Sequence, residues 1–285
     1  MARGRATPGL VRVVLRRDDA FDATRFPFNV PAIASIRTIA ITSRVLCFVG
    51  ENGSGKSTLL EALAIACGFG AEGGTRNFLL STRSESPDDD RRPDAPLEQL
   101  ADALQLRWST RQSDGFFLRA ESFFNVATYL DRLGPEALRS YGGKSLHARS
   151  HGESFLTLFL ARFSGNGLYL LDEPEAALSA ARQLALMVRM RDLLERHPLT
   201  QFVIATHSPI LLGFPGAQIL SFDDGAVREI AYRNTDAYVV TRRFLDNPER
   251  ALSELFASDG DGEDVARVSA SPRPPPRAPR RTRRR

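Results

Sequence analysis

Long apolar runs are missing from this chain. No stretch reaches the roughly 18 consecutive apolar residues that a membrane-spanning helix needs, so no span is expected. The N-terminal MARGRATPGLVRVVLRR is basic but has neither an apolar signal core nor a cleavage site. Export is therefore not expected, and a cytoplasmic location is. Cysteine is scarce. Cys47 and Cys67 stand in no ligand-like spacing, which excludes a disulfide framework and a zinc site, and both read as small core residues in a reducing compartment. Lysine is just as scarce, with only Lys56 and Lys144 in an arginine-rich chain. No internal repeat is visible, so solenoids and propellers drop out.

The composition that is present is 42% hydrophobic and 25% charged over 285 residues, enough for a sizeable globular core. The net charge of +4 is deceptive. The final SPRPPPRAPRRTRRR holds seven arginines, and taking them away leaves the rest of the chain at −3. The basic character thus belongs to a Pro- and Arg-rich tail that cannot bury a core and reads as disordered over residues 266–285. Such a tail could touch nucleic acid or acidic membrane, or simply be solvated.

Residues 10–50 read as short strands, LVRVVL, FPFNVPAI, SIRTIAI and VLCFVG, the last a continuous apolar run of the kind that forms a buried strand. STLLEALAIAC has helical spacing and stops at Gly68. Residues 82–96 are polar and Pro-rich and read as a loop. LEQLADALQL (97–106) reads as a helix, residues 115–133 as mixed strand and helix, and SFLTLFLARF (154–163) as a helix. GLYLLDEP and QFVIATHSP read as buried strands on either side of a long helix, EAALSAARQLALMVRMRDLLERH. AQILSFDDGAVREIAY reads as a hairpin around Asp224-Gly225, and residues 236–256 as a final helical piece. Strands alternating with helices predict an α/β fold, a mostly parallel sheet covered by helices on both faces.

Gly50-Glu51-Asn52-Gly53-Ser54-Gly55-Lys56-Ser57 fits the phosphate-loop pattern throughout, with Thr58 following, an apolar strand before it and a helix after. Glycines let backbone N–H groups wrap phosphates, and the next helix aims its N-terminal dipole at them. Lys56 would reach the terminal phosphates and Ser57 would offer its hydroxyl to Mg²⁺. The strand Gly167–Leu171 ends in Asp172-Glu173. Asp172 is suited to the Mg²⁺ shell, and Glu173 to orienting an attacking water, for a carboxylate is a weak base and positioning counts for more. The second strand ends in Thr206-His207-Ser208, and His207 would emerge where ligands bind in open α/β sheets and hydrogen-bond a γ-phosphate and the water.

Arg149-Ser150-His151-Gly152-Glu153-Ser154 precedes an apolar helix upstream of LLDEP. With the phosphate loop, LLDEP and IATHSP, it resembles the signature of ABC-type ATPases, in the S-x-G-E form of the SMC and DNA-repair branch. GENGSGKSTLLEALA, RAESFFN, SHGES, LLDEPEAALS and IATHSPILL resemble more closely the stand-alone bacterial AAA/ABC-like ATPases, over roughly residues 10–256. The resemblance implies a P-loop NTPase three-layer fold with N-terminal antiparallel strands and a helical subdomain at roughly 75–165, within an ATPase domain spanning 1–265. It implies ATP and Mg²⁺ as ligands and a homodimer formed head to tail on ATP binding, in which Ser150, Gly152 and Glu153 of one copy meet the phosphates held by Lys56 of the other. His207 matches the switch histidine and Glu175–Ser179 the D-loop. The chain departs from the family in having Arg149 and His151 where transporters carry Leu and Gly. It also has no evident Q-loop glutamine; Glu121 is the first candidate for that metal-side position and Gln112 a weaker one. Phe26 and Phe28 are open as adenine-stacking or core residues.

Three functions follow: a free ATP-hydrolysing switch working on an unidentified effector, the ATPase subunit of a membrane transporter, and a nucleotide-gated nucleic-acid binder using the Arg tail. The altered signature disfavours a membrane subunit. The 94 residues from Lys56 to Ser150 are too few and too poor in heptads for a long coiled coil.

Overall fold

The computed structural model describes residues 7–18, 21–70, 73–75, 95–119, 151–163 and 165–258. Its centre is the strand β3 (Val45–Val49), whose five residues are all buried. Burial on both sides follows from alternation. Leu46 and Phe48 enter one core, while Val45, Cys47 and Val49 enter the other. A strand apolar at every position can be covered only from two faces, as in a parallel α/β sheet.

The other strands of this sheet repeat the pattern. They are β5 (Asp114–Arg119), β6 (Gly167–Asp172), β7 (Gln201–Ala205), β8 (Gln218–Ser221) and β9 (Arg228–Glu229), in the order β5-β6-β7-β3-β8-β9. All neighbours are parallel except β8 and β9, which are antiparallel and joined through Asp224 and Gly225, both at positive φ. That hairpin is where Asp-Gly predicts it. Helix α2 (Lys56–Ala66), with α1 (Pro31–Ser35) and α3 (Ala95–Ala103), covers one face. Helices α4 (His151–Arg162), α5 (Ala180–Arg196) and α6 (Pro209–Leu212) cover the other. The chain continues into α7 (Asp236–Asp246) and α8 (Pro248–Ser258), parted at Asn247 by the following proline. Among the described residues no helix is long and apolar enough to cross a membrane.

A second, three-stranded antiparallel sheet rides on the α2 side. Its strands are β1 (Leu10–Leu15), β2 (Thr38–Ala40) and β4 (Leu104–Trp108), in the order β2-β1-β4. The two sheets are stitched by Gln201, whose Oε1 accepts from the Leu10 N–H at 2.8 Å and whose Nε2 donates to the Leu10 carbonyl at 3.0 Å.

Three local expectations change. FPFNVPAI is not a strand: Pro31 opens α1, a position where its locked φ suits a helix start, and Ala32 and Ile33 bury against the α2 side. LEQLADALQL is helical only to Ala103, because Leu104 begins β4 and pairs antiparallel with Leu15. The long helix after LLDEP starts at Ala180, since residues Pro174–Ala177 form a separate 3₁₀ turn. Cys47 and Cys67 are buried as expected, and burial pushes the Cys47 thiol up to about 12, which keeps it protonated and inert.

Candidate functional site

The carboxyl ends of β3, β6, β7 and β8 meet around the loop 50–57. Three loop glycines make this turn possible. Gly50, Gly53 and Gly55 have φ of 151°, 80° and 101°, a region that L side chains avoid. Space is tight at two of them: a Cβ on Gly55 would lie 2.9 Å from Val30 Cγ1, and one on Gly50 would lie 3.0 Å from both Asp223 Oδ1 and Ser54 Oγ, whereas one on Gly53 would meet nothing within 4 Å. The loop is pinned from β8, where Asp223 Oδ1 accepts the Glu51 N–H at 2.9 Å and Asp223 Oδ2 accepts from Ser221 Oγ at 2.8 Å.

Lys56 begins α2 and is 3% exposed. Its Nζ donates to the Gly50 and Glu51 carbonyls at 2.8 and 2.7 Å, closing the loop upon itself. Burial pulls its pKa below the usual lysine range, and the carboxylates of Glu173, Asp223, Asp172 and Glu175 oppose that shift. Next to it Ser57 Oγ donates to Asp172 Oδ1 at 2.8 Å. Glu61, one turn along the same face of α2, meets Arg119 from the end of β5, with Nη2 3.0 Å from Glu61 Oε1; the Arg119 Nε lies 3.8 Å from Asp172 Oδ2. Two carboxylates are thus tied to one guanidinium, and the hydroxyl to one of those carboxylates.

At the end of β6 the backbone turns sharply. Glu173 has φ 47° and ψ 50°, left-handed values that cost a non-glycine residue on the order of 1 kcal/mol. Its N–H still bonds the Ala205 carbonyl at 2.9 Å. Its Oε1 stands 3.5 Å from His207 Nε2, which follows β7. That spacing is too loose for a good hydrogen bond, and Nε2 is buried without a hydrogen-bond partner among the described residues. The pair is thus an open fork, of the kind that tightens only on a bound reactant.

These residues fit a nucleotide phosphate chain. The loop presents a buried ammonium, a buried Ser54 Oγ with no partner among the described residues, and the start of an 11-residue helix. They also fit Mg²⁺. Among the described residues no cluster of three or more His, Cys, Asp or Glu side chains could hold a metal. Mg²⁺, however, takes one or two protein ligands and completes its shell with water and substrate phosphates. Ser57 and Asp172 would hold it, and when bound it would neutralise charge on the phosphate oxygens.

Of the other expected residues, Asn52 and Gly53 sit exposed on the loop, and Thr58 is half-buried in the first turn of α2. Gly152 and Glu153 lie in the first turn of α4, where Glu153 is 3.7 Å from Arg182 of α5. Ser150 and Glu121 lie outside the described residues, as does the arginine-rich tail. Gln112 is excluded from the metal-side position. It precedes β5 at the opposite end of the sheet, is buried, and donates to the Leu199 carbonyl at 2.8 Å. Phe28 is 1% exposed and packs against Phe21, hence a core residue, whereas Phe26 is 50% exposed. Sequence reasoning passed over Arg119, Glu61 and Asp223, and it named Glu175 only as part of the D-loop. Asp223 had a signal, because it follows an apolar strand just as Asp172 does.

The Arg119 fork has a measurable consequence. Arg119→Met takes a cation from two largely buried carboxylates and should destabilise the fold by about 2 kcal/mol, less than the roughly 3–5 kcal/mol of a fully buried broken pair because Arg119 is partly exposed. Adding Glu61→Gln should recover part of that loss. Urea unfolding of the single and double variants measures both, and additive losses would show that the two residues do not act as a pair.

Residues 29–95 match the family model of the AAA domain, a segment that takes in α1, the phosphate loop and α2. No curated protein matches the chain. Among solved structures, the SMC head domain from Thermotoga maritima is 14% identical and aligns over 78% of this chain and 98% of its own, with a TM-score of 0.40. An ATP-binding subunit of an ABC transporter is 15% identical over 87% and 98%, with a TM-score of 0.44. The cbiO1 protein of Clostridium perfringens, part of the ABC transporter complex cbiONQ, is 14% identical over 86% and 99%, with a TM-score of 0.45. The AAA-domain match spans the phosphate loop, and the structure gathers that loop, the acidic strand end and the histidine strand at one edge of a mostly parallel sheet.

Proposed function

We propose that the chain hydrolyses ATP to ADP and phosphate at two composite sites of an ATP-induced head-to-tail homodimer, and so acts as a switch on a protein effector. One observation carries the reading. A buried ammonium, a serine-aspartate pair and a glutamate-histidine fork converge from three different segments on the end of one sheet. Lys56 and the N–H groups of the loop bind the phosphates. Ser57 and Asp172 face the metal side, with Glu121 as the further metal-side candidate. Glu173 orients a water whose oxygen bonds to the terminal phosphorus as the bridging oxygen leaves with ADP, and the water's proton passes toward the carboxylate. His207 holds the water and the terminal phosphate in register. Charge placed ahead of the reaction in this way is the main means of accelerating phosphoryl transfer.

Ser150, Gly152 and Glu153 of a second copy complete the site from the side away from the sheet. The glutamate-histidine spacing supports this, being looser than a completed catalytic hydrogen bond. The test is phosphate release by the purified full chain. Release is expected to rise with ATP, to require Mg²⁺, and to climb more steeply than linearly with protein concentration, as a dimer-borne activity does. Strictly linear dependence over a range in which the chain is monomeric would overturn the composite site, and ATP binding with no release would overturn hydrolysis.

A further inference from the structure

The reading above makes no use of Glu175, yet this residue holds the two halves of the glutamate-histidine fork together. Its Oε1 accepts the backbone N–H of His207 at 2.5 Å and that of Ser208 at 3.2 Å. It forms no ion pair among the described residues, and its Oε2 is buried without a hydrogen-bond partner. A carboxylate so held, with backbone donors as its partners, is there for the backbone it grips. A second tie runs beside the first. Ser208 Oγ donates to Gln183 Oε1 at 2.5 Å, and Gln183 Nε2 donates to the Leu178 carbonyl at 3.0 Å. Ser208 and Gln183 are buried, at 6% and 8% exposure. The turn after β6 and the loop after β7 therefore form one closed ring of hydrogen bonds. The left-handed Glu173 stands at the start of that turn, and His207 lies on the loop facing it.

We propose that Glu175 is a positioning residue for His207: it clasps the histidine loop to the turn that carries Glu173, so that carboxylate and imidazole keep their spacing as one unit. The proposal rests on the hydrolytic reading. No hydrogen bond made by Glu175 reaches the phosphate loop, and its charge is the weakest of the four carboxylate influences on Lys56, so Glu175→Ala should not weaken ATP binding while kcat falls roughly 30-fold, as misplacement of a catalytic group by an ångström or less does. Glu175→Gln keeps an oxygen that can accept the His207 N–H and should recover most of kcat. In a His207→Ala background, Glu175→Ala should cost no further rate, because its effect passes through the missing ring.

A second readout needs no turnover. Amide hydrogen exchange at His207 and Ser208 should speed up on the order of tenfold in Glu175→Ala, with that at Phe48 in the central strand unchanged. Where Glu175→Ala does not fold, Gln183→Ala opens the second tie and takes its place in both measurements. Equal rate losses with and without His207, or unchanged exchange at residues 207 and 208, would overturn the clasp. A native chain that binds ATP but releases no phosphate would overturn the hydrolytic reading instead, and the exchange experiment would still decide whether Glu175 holds the loop.

Discussion

Glu173→Gln is expected to bind ATP, to lose about a thousandfold in turnover, and to double its mass in solution when ATP-Mg²⁺ is added. The size of the rate loss follows from what the substitution removes. A positioned general base contributes between about a hundredfold and ten-thousandfold. The glutamine keeps the shape of the side chain at a backbone site whose φ of 47° already strains any side chain equally, so the fold and the contact with His207 can persist while the basic oxygen is gone. Binding should hold, because Glu173 adds a negative charge to the surroundings of Lys56 and neutralising it lessens the repulsion an incoming phosphate meets. Dimer capture follows from both effects. If ATP joins two copies and hydrolysis parts them, a chain that binds but cannot hydrolyse stays joined. Light scattering with and without nucleotide reads the mass directly. A mass unchanged by ATP, in a variant shown to bind it, would reduce the residues 149–154 to a helix start and leave a monomeric nucleotide-binding domain.

How much of this could be read beforehand depended on the separation of the partners along the chain. The phosphate loop, LLDEP and ATHSP are each contiguous, so their place at strand ends was visible in the sequence, and the structure brings them together. The burial of VLCFV and GLYLLD on both faces was visible for the same reason, as continuous apolar runs. Residues whose meaning lies in distant partners were not. Asp223 grips the Glu51 N–H from 172 positions away, and Glu175 grips that of His207 from 32 away. Arg119 drew less notice than the neighbouring Glu121, because nothing local shows that β5 ends beside Asp172. Gln112 failed for the opposite reason. The residue type suited the metal side, but it precedes the strand that it would have had to follow. LEQLADALQL misled because Leu104 and Leu106 satisfy helical spacing and strand alternation alike, and pairing with β1 decides between them.

Lys56→Ala is expected to abolish useful ATP binding, weakening it by at least a hundredfold, about 3 kcal/mol, the scale on which truncating one side of a buried, hydrogen-bonded charge pair operates. Lys56 is the ammonium that the loop wraps, and Glu173, Asp223, Asp172 and Glu175 all lie close enough to act on it. With it gone those carboxylates remain, and a polyphosphate would enter a field of its own sign. Arg119 cannot substitute, since it is engaged with Glu61 and Asp172. Arginine at position 56 is no repair either. Its planar guanidinium is larger than the ammonium that now fits against two loop carbonyls at 2.7 and 2.8 Å, so Lys56→Arg should bind ATP only slightly better than Lys56→Ala. The fold itself should survive. Losing Lys56 frees two carbonyls on a loop whose tip is exposed and where water can replace the lost donor, so the thermal midpoint should move by only a few degrees. Calorimetric titration with ATP-Mg²⁺, alongside a melting curve, separates the two effects. A Lys56→Ala chain that melts normally and binds ATP within about fivefold of the native affinity would place the phosphates somewhere other than this loop.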